Sequence, residues 1–179
     1  GIRIPEDYGG LGLGHLELCV IAEELGRFLA PVPYSSSVYL FTEAIINYGT
    51  DEIKKNILPK LVSGEIVGTL GVTEELHAPT KDNINLVYAD GKINGKKIAV
   101  PDAGVATHAI VVAKSDKGIS LQLVDLSTTG VTVEHQENID ESRGHFSISF
   151  NDVETKLLGD KVSGWELYET LINQAAVLF

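Results

Sequence analysis

Methionine is absent from this 179-residue sequence, and Cys19 is its sole cysteine. A lone cysteine excludes a disulfide within the chain, and the residue reads as a reduced thiol packed on a helix face. Positive charge is scarce: 14 Lys and Arg stand against 25 Asp and Glu, for a net charge of −11. Nucleic-acid binding needs clustered cations to neutralise phosphate, so it is excluded as a reading. No apolar run is long enough for a membrane-spanning helix, and no basic stretch followed by an apolar one marks a signal peptide. These absences point to the cytoplasm. The histidines, at 15, 77, 108, 135 and 145, have no metal-ligand spacing. Neither a nucleophile elbow nor a phosphate-binding loop is present.

The pattern that is present changes twice along the chain. Pro5, Gly9, Gly10, Gly12 and Gly14 make a turn-rich start. Leu18, Ile21, Ala22, Leu25 and Phe28 then fall on one face of a helix. After the break at Ala30-Pro31-Val32-Pro33, a second helix is expected over 37–48, with Leu40, Phe41, Ala44 and Ile45 as its apolar stripe. Thr50 is the expected N-cap of a third helix carrying Ile53 and Ile57.

From Ile66 the period becomes two. Strands are expected over 66–72, around Ile84, Leu86 and Tyr88, over 108–113, over 119–124, at Val131 and Val133, and through Phe146, Ile148 and Phe150. Asp90-Gly91 signals a hairpin and Asn94-Gly95 a second turn. The apolar run His108–Ala113 reads as a strand buried on both faces. After Gly159 the helical period returns at Trp165, Leu167, Leu171 and Ala175. The expected fold is α+β: a helical segment (1–65), an antiparallel β-barrel or sandwich (66–158) and the first turns of another helix (159–179). Gly1 is not a natural start, and the run Ala175–Phe179 ends apolar and uncapped, so the sequence reads as a piece of a longer protein.

Specific segments carry a resemblance. Pro5-Glu6-Asp7-Tyr8-Gly9-Gly10-Leu11-Gly12, Glu23-Glu24-Leu25-Gly26-Arg27, Gly49–Lys54, Leu58–Glu65, Thr73-Glu74 and Asn94-Gly95-Lys96-Lys97 occur in order and with natural spacing. Together they resemble the acyl-CoA dehydrogenase family over nearly the whole chain. The resemblance implies a helical N-terminal domain, a middle β domain and a C-terminal helical bundle. FAD would lie between the β domain and the bundle, with help from a neighbouring subunit. It also implies α,β-dehydrogenation of an acyl-CoA thioester: a glutamate removes the α proton and the β hydrogen leaves as hydride to the flavin.

By resemblance the base sits in the C-terminal bundle, so no catalytic residue is assigned here and this piece alone is expected to be inactive. Glu23, Glu24, Glu65 and Glu74 read as solvated carboxylates. The cofactor-binding candidates are Leu70, Val72 and Thr73 on the first strand, with Val100 and Pro101. Tyr8 and Trp165 read as packing residues.

Three departures stand out. Glu75 replaces the family's turn proline. The loop Leu76–Asp82 replaces a glycine- and serine-containing loop, with Thr80 or Lys81 as possible substitutes. Ala99-Val100-Pro101 replaces a Trp-Ile-Ser/Thr segment, and a proline has neither hydroxyl nor N–H to offer flavin N5. Two readings stay open. One is a flavoprotein dehydrogenase that passes electrons from reduced flavin to an acceptor and works as an oligomer. The other is a non-flavin, non-catalytic subunit of a mixed assembly.

Overall fold

The computed structural model describes residues 1–140, 142–160 and 163–179; Lys161 and Val162, within the expected third segment, lie outside the described residues. Helix α1 spans His15–Arg27. A π-helical stretch, Ser35–Thr42, runs into α2, Glu43–Tyr48. The Thr42 hydroxyl donates to Ser37 O five residues back, at 2.7 Å, which matches the wider winding. Helix α3, Asp51–Ser63, starts as its sequence predicts, with Thr50 Oγ1 accepting from Ile53 N.

Eight strands follow: β1 Gly68–Gly71, β2 Val87–Ala89, β3 Lys92–Pro101, β4 His108–Ser115, β5 Gly118–Asp125, β6 Val131–Gln136, β7 His145–Glu154 and β8 Lys156–Leu158. Helix α4 is Gly164–Ala175. The sheet order is β6-β7-β3-β2-β4-β5-β8, with β1 beside β4. Most ladders are antiparallel, as expected for strands joined by short turns. The β1–β4 ladder is parallel, pairing Gly68 with His108 and Gly71 with Val111. Strand β1 enters from α3 rather than from a hairpin, so its direction is free of that constraint.

Alternation along β4 divides the interior in two. Ile110 and Val112 face the helices, in a core with Phe41, Ile45, Leu58, Leu121 and Leu171. Ala109, Val111 and Ala113 face the other way, with Leu86, Ile93, Ile148 and Phe150. The strand is thus buried on both faces, as its apolar run predicts. Gly68 lies against the Phe41 ring so closely that a Cβ there would overlap it.

Three expectations are corrected. Asn94-Gly95 is not a turn but runs on inside β3 opposite a bulge of β7: the register shifts between Ile93↔Val153 and Gly95↔Phe150 with the extra residue on β7, and Gly95 takes φ 137°. The Asn94 side chain accepts from Asp152 N across that bulge. Phe28 is not on the packed face of α1; it caps the helix and is 75% exposed. Cys19 is exposed rather than packed, because Leu18 is the one residue of α1 that is fully covered.

Candidate functional site

Strand β1 is laddered along one edge, to β4. Its other edge looks across to β3, and among the described residues side chains and a bulge span that gap rather than a backbone ladder. The Thr69 hydroxyl donates to Pro101 O at 2.6 Å. Ile98 N donates to Thr73 O at 2.8 Å. Lys97 Nζ donates to Val72 O at 2.9 Å and to Glu74 Oε1 at 2.6 Å. The stem of Lys97 crosses β1 over Gly71, where an added Cβ would sit 3.3 Å from Lys97 Cγ.

Lys97 is fully buried, and burial, opposed by the hydrogen bond and charge of Glu74, pushes its pKa down to about 8. The Glu74 carboxylate is also held by Asn85 N at 2.7 Å and Leu86 N at 3.0 Å. The expectation of a solvated Glu74 is therefore wrong: its side chain is 9% exposed and joins β1 to the approach of β2. Glu23, Glu24 and Glu65 are exposed, as expected.

The five cofactor candidates do not share one side-chain surface. Leu70 and Val72 point into the core shared with the helices, and Val100 points into the other core. Thr73 and Pro101 are half-buried. What meets across the gap is backbone: the chain from β1 to Thr73 and the segment Ile98–Pro101, joined by Ile98 N on Thr73 O. That segment bulges, with a register shift between Lys97 and Val100 and Ala99 at φ 50°. The bulge turns Ala99 N towards Gln136 Oε1, at 2.7 Å. Tyr8 and Trp165 pack against the helical core, as their reading predicts.

A flat ring with a hydrogen-bonding rim fits this edge in one part. The carbonyls of Val72 and Thr73 are taken by Lys97 Nζ and Ile98 N, so what the segment offers such a rim is the Thr73 hydroxyl at its end. The other side offers less: Pro101 has no N–H and Ala99 N is already bonded to Gln136. Of the two loop substitutes, Lys81 is engaged elsewhere, with its ammonium 2.7 Å from Glu166 on α4. Thr80 N is capped by Asn83 Oδ1 at 2.7 Å.

Beside Pro101 a groove of about 580 Å³ opens between α1, the π-helical stretch, the start of β7 and the last residues. Leu25, Leu29, Val32, Phe146 and Phe179 line it. Its charged wall is Asp102, which accepts from the Ser36 hydroxyl at 2.5 Å and pairs with Arg143 at 2.5 Å. No helix is long and apolar enough to cross a membrane, and no group of three or more metal-ligating side chains forms, among the described residues.

Lys97 and Glu74 form a buried pair beside the candidate residues that the sequence did not single out. A signal existed: Lys97 lies four residues from Ile93 in one strand, on the same face by a period of two, and a lysine so placed needs a partner.

Residues 1–65 match the family model of the acyl-CoA dehydrogenase N-terminal domain. Mitochondrial isovaleryl-CoA dehydrogenase from Solanum tuberosum is 35% identical over 141 residues, 73% of this chain and 34% of that protein. The chain thus spans about a third of the length of the plant relatives it matches, 34% for each. An acyl-CoA dehydrogenase from Geobacillus kaustophilus superposes with a TM-score of 0.88 at 26% identity, covering 98% of this chain and 51% of that one. One from Bacillus anthracis, solved in complex with FAD, superposes with a TM-score of 0.87 at 25% identity, covering 98% of this chain and 32% of that one. Sequence identity, the match of the helical segment and the shared fold together establish that the chain belongs to the acyl-CoA dehydrogenase family.

Proposed function

We propose that the whole protein containing this chain is an FAD-dependent dehydrogenase of acyl-CoA thioesters, active in lipid metabolism as a cytoplasmic oligomer. The observation that carries this reading is the segment Leu70–Thr73 at the end of β1, held against the β3 bulge by the Thr69 hydroxyl on Pro101 O and by Ile98 N on Thr73 O. In the proposed division, 66–158 is the flavin-bearing β domain between a helical part, 1–65, and the start of the C-terminal bundle, 159–179. Leu70, Val72 and Thr73 would present backbone groups and one hydroxyl to the pyrimidine edge of the flavin. Val100 and Pro101 would form the facing wall by contact alone. The chemistry the flavin supplies when bound is hydride acceptance, with electrons leaving to a separate acceptor. The base belongs to the bundle, and no residue of this chain is given that role.

The test is anaerobic addition of acyl-CoA thioesters to the purified whole protein. Loss of the oxidised flavin bands with formation of the enoyl product supports the reading. A flavin-loaded protein that no acyl-CoA reduces contradicts it.

One observation favours the second reading, a non-flavin subunit of a mixed assembly: neither Pro101 nor Ala99 has an N–H to give. A colourless protein that becomes part of a yellow, active complex only when co-expressed with a related dehydrogenase would support it.

A further inference from the structure

Among the described residues, the wall between β1 and β3 contains one fully buried cation, Lys97, and its geometry is more specific than stability requires. A buried ion pair is a weak stabiliser, because desolvation of both groups offsets their attraction, and apolar residues of similar volume often do as well. Lys97 nevertheless makes two short contacts just past the end of β1: Val72 O at 2.9 Å and Glu74 Oε1 at 2.6 Å. Glu74 in turn receives Asn85 N and Leu86 N. Thr73 lies between these two anchor points, and its own carbonyl is taken by Ile98 N at 2.8 Å. Residues 72–74 are thus tied at three successive positions, all to β3 or the approach to β2. The ties stand just past the end of β1, where the Lys97 side chain and the Ile98 N–H together hold the segment as a strand partner would.

We infer that Lys97 and Glu74 are positioning residues that fix the Val72–Thr73 segment, which follows β1, against β3, so that Thr73 meets the cofactor in one orientation. The inference rests on the flavin reading for its purpose and on the hydrogen bonds for its geometry. Neither residue touches the cofactor; both act through Thr73. Preorganisation of this kind raises affinity by removing the ordering that binding would otherwise require.

The test compares the whole protein with its Lys97→Met/Glu74→Gln variant, using FAD as the probe. Three quantities are measured: deuterium exchange of the segment 68–76 without added FAD, the melting temperature, and the FAD dissociation constant. Exchange at 68–76 is expected to speed up by roughly tenfold or more while global melting changes little, since local opening is separable from global unfolding. The FAD dissociation constant is expected to rise by about tenfold. A purely structural pair would lower melting and affinity together, and that result overturns the inference. Unchanged exchange at 68–76 overturns the pinning itself. Faster exchange with an unchanged FAD constant overturns its link to the cofactor. Wild-type protein that takes up no FAD sinks the flavin reading instead, and the exchange comparison still decides whether the pair pins the strand. If the double variant does not fold, Glu74→Gln alone, which keeps an acceptor for Asn85 N and Leu86 N, is read out in the same way.

Discussion

Lys97 Nζ lies 2.6 Å from Glu74 Oε1, with no part of the lysine side chain exposed to solvent. The two residues are 23 apart in sequence, Lys97 on β3 and Glu74 three residues past the end of β1, so the contact ties the chain leaving β1 to β3. Removing one partner is expected to be far more damaging than removing both. Glu74→Ala leaves a buried ammonium without its counter-ion and two backbone N–H groups without their acceptor, at a cost of about 3–5 kcal/mol. Lys97→Met/Glu74→Gln replaces the charges with neutral groups of similar size and is expected to lie within about 1 kcal/mol of wild type. Urea unfolding of the three proteins checks the order; equal losses would contradict it.

The same pair gives a pH dependence whose sign is fixed. Burial lowers the pKa of Lys97 to about 8 from an unfolded value of 10.5. Between those values the unfolded chain binds the proton more tightly, so folding stability rises with pH. The penalty for burying the charge is fully present below about pH 8 and is relieved as pH rises to 10.5. The stability difference between wild type and Lys97→Met/Glu74→Gln is therefore expected to move in favour of wild type across that window. A flat difference would show that Lys97 titrates normally.

Gly68 and Phe41 set a steric limit on the joint between the π-helical stretch and β1. A methyl group at Gly68 would overlap the Phe41 ring. Gly68→Ala is expected to destabilise by about 3 kcal/mol or more, at the upper end of overpacking losses. Adding Phe41→Leu, which makes room, is expected to recover part of the loss. Thermal melts of the single and double variants decide it, and additive losses would contradict the contact.

Pro101 is the residue that most separates this site from a fully hydrogen-bonded one. Pro101→Thr supplies an N–H and a hydroxyl at the position facing β1. One added hydrogen bond corresponds to roughly a two- to tenfold tighter FAD dissociation constant. Weaker binding in this variant would mean that the segment does not face the cofactor.

Much of the fold was legible because its signals are local. Thr50 caps α3, the stripe Leu40–Ile45 is buried, and the continuous apolar run of β4 is covered on both faces. What escaped was set by partners distant in sequence. Asn94-Gly95 carries turn chemistry, yet pairing keeps it inside β3, opposite a bulge of β7. Glu74 has the composition of a solvated loop, yet a lysine from β3 buries it. Phe28 has helical spacing, but the chain turns at the helix end and leaves it in solvent. At the candidate site, Leu70, Val72 and Val100 could be named from their segments. That their side chains enter two separate cores, leaving backbone to face the gap, depends on the strand faces and could not be read from spacing.

The central claim, that the end of β1 and Thr73 serve a flavin, is tested most directly by the visible spectrum and FAD content of the purified whole protein. The account predicts a yellow protein with oxidised-flavin bands and about one FAD per active site, recovered on adding FAD to stripped protein. A colourless protein that takes up no added FAD, alone or with a related dehydrogenase subunit, would contradict it.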